Sequence, residues 1–550
     1  MPGDGAETDV IVVGAGPTGL SLAIEFGLRG VRAVIVERHA RTGSQPRAKT
    51  TNVRSMQHLR RWGIASALRA AAPLPYDYPT DIVFATRLFG RTLAVIENAF
   101  EGAKRRDPRF PEPAQWVPQY TVEAILRERV ATLPSVELRF NTELENAEQS
   151  ADAVTATVHN LANGERRAVR AKYLIGADGA RSRVREIAGA RMQGEHAYGL
   201  NYNLILRVPE LLRAPPSRRA IMYWLINKEA PAVMGPMDTD GRWHFGITLP
   251  PGISEIDDDT IRARVRAAVG RDIEIEILAR DIWAAHRLIA DRYSNGRIFL
   301  AGDACHLHPP FGGYGMNLGI ADGVDLGWKL AAMLEGWGGR DLLDSCEQER
   351  RSVHQRTIAE AVENYRTLSA QLLKDSLDDD TAEGDRARSE VGEEIVRTKT
   401  REFKTLGVVL GSRYLDSPII VGDGSAPPDE HYAAFEPSAH PGCLAPHAWL
   451  PDGSSLYDHF GSGYTLLGFD EPTSKDELVQ AARRARVPLT VLNFCDQELR
   501  ALYGAQLVLI RPDQYVAWRG DRAEDPDAVI AAVRGAPVRE AVAKKKASTA

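Results

Sequence analysis

Residues 10–19 read VIVVGAGPTG. An apolar run that ends in this glycine pattern predicts a buried strand, a tight turn and the first turn of a helix. Gly14 would permit the turn out of the strand, Gly16 would let a pyrophosphate lie against the backbone, and Gly19 would let the helix pack closely on the strand. The stretch therefore predicts the phosphate-binding turn of a dinucleotide-binding βαβ unit.

The second strand of that unit follows at residues 33–37, which read AVIVE. Glu37 ends the strand, where a carboxylate can accept hydrogen bonds from the ribose hydroxyls of an adenosine. The helix between the two strands offers unpaired N–H groups and a positive dipole end to phosphates. The alternative is that the glycines serve only a tight turn, but strand, helix, strand and acid occur here in register.

Two more acidic turns follow in the order that an FAD site requires. Residues 173–185 read YLIGADGARSRVR, and residues 297–306 read RIFLAGDACH. Asp303 follows an apolar strand, where its carboxylate can bind a ribityl hydroxyl, and residues 309–319, PPFGGYGMNLG, then lead into a helix. The N-terminal amides of that helix would face the pyrimidine edge of a flavin. Either turn alone could be an ordinary acidic turn, but together they predict FAD.

The bulk properties describe a folded protein with no strong charge. The 550 residues are 44% hydrophobic and 26% charged, with a formal net charge of -6. This balance gives no field that attracts nucleic acid or anionic lipid, and no apolar run reaches the ~18 residues that span a bilayer. The first residues show no secretory signal, so we expect a cytoplasmic protein.

The cysteines and histidines predict no metal site. The four cysteines are far apart and form no C-x-x-C, which argues against a disulfide framework or a zinc site. His306 and His308 flank Asp303, but in the sequence no carboxylate or thiolate constellation joins them.

The three stretches resemble the group A flavoprotein aromatic hydroxylases, which have the para-hydroxybenzoate hydroxylase fold, and the resemblance covers about residues 8–375. It implies that Arg47 and Gln119 contact FAD, and that the motif at 178–179 serves both FAD and NAD(P)H. One departure is Asp325, where relatives often carry Asn. We interpret that residue as structural.

The resemblance implies an α/β fold in which an FAD-binding Rossmann-like domain is interleaved with an α+β substrate domain. The expected FAD-binding segments are 1–80, 115–185 and 282–375, and the expected substrate segments are 81–114 and 186–281. Residues 376–445 are densely charged and then rich in Pro and Gly, so we expect an exposed helical region and a linker. We expect residues 539–550 to be a disordered tail.

Residues 450–458 and 508–519 look like the thioredoxin-like C-terminal domain of the larger phenol and polyketide hydroxylases, and we place this domain at 446–538. Cys495 is its single cysteine, so dithiol chemistry is excluded. We expect a packing or oligomerisation element, which would allow a homodimer.

Motifs and resemblance together predict a set of site residues. The predicted cofactor-binding residues are Gly14, Gly16, Pro17, Thr18, Gly19, Glu37, Arg38, Arg47, Gln119, Asp178, Gly179, Asp303, Pro310, Gly313, Gly315, Met316 and Asn317. The predicted catalytic residues are Lys49, Arg54 and Tyr223. Because the flavin supplies the oxidant, the protein must provide a dry pocket and a group that polarises a phenol hydroxyl. Trp224 and His244 are further candidates, although packing roles are the alternative for Tyr223, Trp224 and His244.

The resemblance implies an FAD-dependent, NAD(P)H-consuming monooxygenase. NADPH or NADH would reduce FAD, and reduced flavin and molecular oxygen would give a flavin hydroperoxide that hydroxylates a small phenolic or polyketide-like aromatic substrate. The alternatives are an FAD-dependent oxidase or reductase and a non-catalytic flavin-binding protein.

Overall fold

The computed structural model describes residues 6–40, 48–213, 216, 218–248, 256–365, 372–470 and 475–537. Arg47 and the predicted disordered tail lie outside these ranges. Within them, no helix combines the length and the apolar character that crossing a membrane requires.

The strands before residue 310 are β1 (Ala6–Val13), β2 (Ala33–Val36), β3 (Thr50–Thr51), β4 (Ile82–Ala85), β5 (Thr92–Ile96), β6 (Gln115–Trp116), β7 (Val136–Arg139), β8 (Thr142–Gln149), β9 (Val154–Asn160), β10 (Arg166–Gly176), β11 (Met192–Arg207), β12 (Met222–Leu225), β13 (Ala232–Pro236), β14 (Arg242–Thr248), β15 (Glu276–Ala290), β16 (Ser294–Asn295), β17 (Ile298–Leu300) and β18 (His306–Leu307). The helices before residue 410 are α1 (Pro17–Leu28), α2 (Val53–Arg61), α3 (Ala65–Ala71), α4 (Gln119–Ala131), α5 (Arg183–Ile187), α6 (Glu210–Arg213), α7 (Asp258–Val269), α8 (Gly315–Leu334), α9 (Arg340–Tyr365), α10 (Ala382–Phe403) and α11 (Leu406–Val409).

The first sheet has the strand order β16-β17-β10-β1-β2-β7, and β8 and β9 extend it from β10. Strands β17, β10, β1, β2 and β7 are parallel to one another. Their carboxyl ends therefore meet at one edge, where ligands bind in open α/β sheets. The turns at Gly14, Asp178 and Asp303 all follow strands at this edge, as the sequence predicted.

The second sheet has the order β18-β15-β11-β14-β13-β12-β4-β5 and contains the segments that the sequence predicted to form the substrate domain. One of its faces is apolar and packs against α7. The predicted return to the FAD-binding domain at residue 282 falls inside β15, which stays paired with β11 as far as Ala290. The substrate domain therefore extends further along the chain than the sequence predicted, because a long antiparallel pair keeps β15 in this sheet.

Helix α10 corrects part of the prediction for residues 376–445, where the sequence suggested an exposed helical region and a linker. Val391, Ile395 and Phe403 are buried in the core beside β4 and β5. A Cβ on Gly392 would lie 2.5 Å from the Leu93 carbonyl oxygen, so the helix backbone touches β5 directly. Most of the charged side chains lie on the outer face, whereas Lys399 and Glu402 are buried with the apolar residues of the inner face, which packs against the second sheet.

The C-terminal unit contains β19 (Tyr464–Phe469), β20 (Leu489–Phe494), β21 (Leu507–Ile510) and β22 (Val516–Gly520), with α12 (Lys475–Arg484), α13 (Gln497–Tyr503) and α14 (Pro526–Val533). Its strand order is β20-β19-β21-β22, with β19 and β20 parallel and the other pairs antiparallel. A separate C-terminal α/β unit is therefore present, and its thioredoxin-like character stays a prediction.

Candidate flavin and substrate site

The first glycine turn leaves open space beside its backbone at Gly16. Gly14 has a φ of +103°, and a Cβ there would lie 2.3 Å from the Ala177 carbonyl oxygen. A Cβ on Gly19 would lie 1.9 Å from the Gly14 carbonyl oxygen. A Cβ on Gly16, by contrast, would meet no atom within 4 Å, although Gly16 caps α1 and Pro17 opens it. The turn is therefore a cradle at a helix N-terminus, and it fits the pyrophosphate of FAD.

Glu37 is hydrogen-bonded to this glycine turn. One carboxylate oxygen accepts a hydrogen bond from the Ala15 N–H at 2.9 Å, and the other accepts one from the His39 N–H at 2.9 Å. The side chain of Arg38 is exposed beside it. Glu37 thus holds the glycine turn in shape, and its contact with the ribose of a cofactor stays a prediction.

Asp178 is engaged within its own turn. Its carboxylate accepts hydrogen bonds from the Ser182 hydroxyl at 2.5 Å and from the N–H groups of Arg183 and Val184 at 2.7 and 3.1 Å. Burial raises the pKa of this carboxyl, and these hydrogen bonds counteract the rise. Gly179 has a φ of +80°, which lets the turn close. The contact of both residues with a cofactor stays a prediction.

Asp303 is exposed in a short turn that directly follows β17. The buried carboxylate of Asp322 anchors this turn by accepting a hydrogen bond from the Gly302 N–H at 2.9 Å. Asp322 is held in turn by the guanidinium of Arg350 at 2.6 Å. The strand end and this buried anchor present the Asp303 carboxylate at the same edge as Glu37 and Asp178.

The surroundings of His306 differ from the prediction. Ligand atoms of Cys305, His306, Asp322 and His354 lie within 4.8 Å of one another, so a thiol and a carboxylate do join this histidine. Asp322, however, already accepts hydrogen bonds from His306 at 3.0 Å and His354 at 2.9 Å as well as from Arg350. The guanidinium neutralises the one carboxylate of the group, so we interpret the cluster as structural.

Asn317 fixes the loop that precedes α8. Its amide nitrogen donates to the carbonyl oxygens of Gly313 at 2.7 Å and Thr50 at 2.9 Å, and its amide oxygen accepts from the Asn52 N–H at 2.9 Å. The loop therefore lies against β3. The predicted cofactor residues Pro310, Gly313, Gly315, Met316 and Asn317 all belong to this one segment.

Thr18 and Gln119 have visible structural roles. Thr18 sits where α1 crosses α8, so close that a Cβ on Gly302 or Gly319 would lie 2.5 or 2.3 Å from its hydroxyl. The backbone N–H of Gln119 donates to the Ala48 carbonyl at 2.9 Å, which places it beside the segment that leads into β3. Any contact of these two residues with FAD stays a prediction.

Lys49 lies between the cofactor loop and the substrate sheet. Its neighbour Thr50 touches Gly313, since a Cβ on that glycine would lie 3.1 Å from the threonine side chain. Burial lowers the pKa of Lys49 to about 8, and among the described residues no carboxylate forms a salt bridge with it. Burial and then the Lys49 charge hold the pKa of His244 well below its usual range. Trp116 completes the group, with its ring centroid 6.2 Å from that of His244.

The position of Tyr223 does not support the predicted catalytic role. Its hydroxyl donates to the Arg218 carbonyl at 2.8 Å and accepts from the Ala220 N–H at 3.0 Å. Its ring packs near Trp243 in the core that faces α7. Side chains alternate along a strand, so Tyr223 points away from the face that carries its neighbour Trp224. We correct its assignment to a structural residue.

Arg54 is also placed away from a substrate. It is buried in α2, and its guanidinium donates to the Gln57 side chain at 2.8 Å and to the Asp513 carbonyl at 2.5 Å. It also bonds to the Gln514 side chain. Arg54 therefore binds the C-terminal unit, which the sequence could not indicate because the partners lie at opposite ends of the chain.

Trp224 lies on the same face of the sheet as His244 and belongs to an aromatic wall. Its ring centroid is 5.8 Å from that of Phe84 and 6.4 Å from that of Phe311. The buried Lys399 of α10 places its ammonium 4.4 Å from the centroid of the Trp224 ring. Sequence reasoning missed Phe311 and Lys399, although Phe311 directly follows the predicted Pro310 and could have been found from that adjacency.

The comparison with known families decides what these turns serve. A family model described as "FAD binding domain" matches residues 7–361, and one described as "Aromatic-ring hydroxylase, C-terminal" matches residues 438–537. This chain belongs to the FAD-dependent aromatic-ring hydroxylases. It is 33% identical over 556 residues to tetracenomycin B2 monooxygenase-dioxygenase of Streptomyces olivaceus, covering 96% of this chain and 98% of that one. It is 31% identical over 562 residues to 2,4-dichlorophenol 6-monooxygenase of Cupriavidus pinatubonensis, covering 93% of each.

Solved structures show the same fold as this chain. RebC-10x, described in native and K252c-bound form, matches with a TM-score of 0.90 and 35% identity, over 97% of this chain and 100% of that chain. A ternary complex of aklavinone-11 hydroxylase with FAD and aklavinone matches with a TM-score of 0.81 and 28% identity, over 96% and 99%. This chain is thus an FAD-dependent monooxygenase, and the predicted FAD-binding α/β fold, FAD as cofactor and the enzyme class are confirmed.

Proposed function

We propose that this enzyme hydroxylates an electron-rich phenolic or polyketide-like aromatic ring, with NADPH or NADH as electron donor. One atom of molecular oxygen would enter the ring and the other would leave as water, and the nicotinamide would supply the two electrons that balance the reaction. The relatives support this class of substrate, since one is named "2,4-dichlorophenol 6-monooxygenase" and another "Putative polyketide hydroxylase". When bound, FAD supplies the redox and oxygen chemistry.

The position of Lys49 carries the proposal. The segment that contains Lys49 and Thr50 touches the cofactor loop at Gly313 and reaches His244 of the substrate sheet. A cation at this junction would bind the hydroxyl of a phenol and favour its ionised form, because an opposite charge lowers the pKa of an acid. The phenolate is richer in electrons than the phenol and therefore more easily hydroxylated.

The other side chains around the proposed substrate position form an apolar surface that excludes water. Trp116 and Trp224 lie on the same side of the substrate sheet as His244, and both are largely removed from solvent. We propose that these aromatic side chains bound the substrate ring and exclude water from it.

The test compares Lys49→Met and Lys49→Arg with the control Lys172→Met, whose lysine forms an exposed pair with Asp9. We expect Lys49→Met to lower kcat/KM for a phenol by about 10-fold to 100-fold, since a charge-assisted hydrogen bond contributes ~1.5–3 kcal/mol. Lys49→Arg should keep part of the activity, and Lys172→Met should keep all of it. FAD content should be equal in all of them.

The pH dependence of phenol binding gives a second test of the role of Lys49. Because the pKa of Lys49 is about 8, binding of a phenol to the wild type should weaken as the pH rises through that value. In Lys49→Met, phenol binding should not weaken in this way as the pH rises through about 8. An unchanged kcat/KM in Lys49→Met would remove Lys49 from the site. Failure of the wild type to oxygenate any phenol of a broad panel would overturn the proposed substrate class.

We also propose a cytoplasmic location and retain the homodimer as a prediction. All four cysteines are unpaired in the structure, which suits a reducing compartment. Sedimentation of the FAD-loaded protein would test the assembly directly.

A further inference from the structure

Lys49 differs from the two fully buried lysines of the described chain. Lys329 lies with its ammonium 2.6 Å from the Glu349 carboxylate. Lys399 lies with its ammonium 2.8 Å from the Glu402 carboxylate. Lys49 is half-buried, and among the described residues no carboxylate forms a salt bridge with it. Its amine therefore lacks the acid that would hold it in the protonated form, while part of the residue stays open to solvent.

The structure places an aromatic surface near Lys49. The Lys49 carbonyl oxygen accepts a hydrogen bond from the Val117 N–H at 2.7 Å, which joins this segment to the end of β6, where Trp116 is half-buried. The centroid of the Trp116 ring is 6.2 Å from that of His244 on β14. After burial, the Lys49 charge is the next cause that lowers the pKa of His244, so these two side chains are close in space. The amine is thus near the position proposed above for an aromatic substrate.

These surroundings make the Lys49 amine a nucleophile. A lysine that is removed from water without an acidic partner loses its proton more easily than an exposed lysine. At neutral pH, a pKa of about 8 leaves roughly a tenth of the amine uncharged, compared with less than about a thousandth for an ordinary lysine. The uncharged form has the free electron pair that attacks a carbonyl carbon, which is how lysines form imines with carbonyl compounds.

We propose that Lys49 forms a reversible imine with phenolic aldehydes, so that the site takes this class of compound covalently; the proposal rests on the substrate position given under the proposed function. The amine nitrogen bonds to the carbonyl carbon and loses two protons, and the carbonyl oxygen leaves with them as water. No electrons are gained or lost, so the step requires neither reduced flavin nor oxygen. A hydroxyl ortho to the carbonyl would donate a hydrogen bond to the imine nitrogen, and the apolar surface at Trp116 would slow hydrolysis by excluding water.

The first test maps the adduct. FAD-loaded enzyme is incubated at about pH 7.5 with salicylaldehyde and cyanoborohydride, which reduces an imine to a stable secondary amine, and the modified peptides are identified by mass spectrometry. Lys49 should react at least about tenfold faster than Lys172, whose exposed ammonium pairs with Asp9 at 3.1 Å, because a larger fraction of its amine is uncharged. Equal rates at the two lysines, or no adduct on Lys49, would overturn the proposal.

The second test asks whether the site selects the aromatic ring. With Lys172 as the internal reference, Lys49 should prefer salicylaldehyde over the aliphatic propanal by about fivefold or more, as expected for contact with an aromatic surface. An equal preference at the two lysines would refute a site for phenolic aldehydes. The result is independent of the phenolate role: labelling of Lys49 together with an unchanged kcat/KM in Lys49→Met would remove that role and leave the imine. A lowered kcat/KM without labelling would do the reverse.

Discussion

Replacing Arg511 by Leu tests how the C-terminal unit is attached to the flavin domain. The guanidinium donates to Glu349 at 2.6 and 2.9 Å and to Asp513 at 2.7 and 3.0 Å, and it is fully buried. Lys329 bonds to Glu349 at 2.6 Å and to Asp325 at 2.8 Å. These five side chains form a buried ion cluster in which three carboxylates face two cations, so the variant would leave three buried acids with one lysine.

The expected loss is large. Removing one partner of a buried, hydrogen-bonded ion pair destabilises a protein by ~3–5 kcal/mol, because the other charge stays buried without compensation. Arg484→Leu is the matched control in the same unit. Its guanidinium pairs with Asp527 at 2.7 Å, but the side chain is 59% exposed. Water screens such a pair, and its loss changes stability by only ~0–1 kcal/mol.

The assay is urea unfolding of the FAD-loaded protein followed by tryptophan fluorescence. Trp328 is a suitable probe, since the Arg511 guanidinium lies 5.3 Å from the centroid of its ring. Arg511→Leu should lower the unfolding midpoint several times more than Arg484→Leu. Adding Glu349→Gln to Arg511→Leu should recover part of the loss, because it removes an uncompensated charge. Equal midpoints for the two arginine variants would refute the reasoning, and so would a double variant in which the two losses simply add.

Three further predictions concern the cofactor edge and the ion cluster. Burial raises the pKa of Asp325 from 3.8 to about 7, so the native state binds a proton that the unfolded chain releases, and this contribution to stability is lost as the pH rises through that range. Asp325→Asn should therefore gain stability relative to the wild type as the pH is raised from about 5 to about 8, measured by parallel thermal melts. Gly16→Ala should fold normally but bind FAD weakly, because its methyl group would meet only the cofactor, whereas Gly19→Ala should lower the melting temperature of the apoprotein as well. Asp303→Ala should weaken FAD binding by about tenfold or more, measured by flavin fluorescence, since a hydrogen bond to a charged group contributes ~1.5–3 kcal/mol; full flavin retention would show that the ribityl contact is misplaced.

The sequence alone determined the parts of this protein that depend on local rules. The turn at Gly14 must follow a strand and open a helix, because only glycine accepts that backbone and that close approach. The acidic turns at Asp178 and Asp303 follow apolar strands, and parallel strands end at a common edge. The FAD-binding fold and the cofactor edge were therefore predictable from the sequence.

Only the tertiary structure decided which side chains meet. Tyr223 and Trp224 are neighbours in the sequence, yet strand alternation sends one into the core and the other toward His244, and the choice of face depends on what packs against the sheet. Arg54 is close in sequence to the predicted site residue Lys49, but its partners at 513–514 lie hundreds of residues away. Burial and pairing of charges are properties of contacts between distant segments, and local sequence patterns do not encode which distant segments will touch.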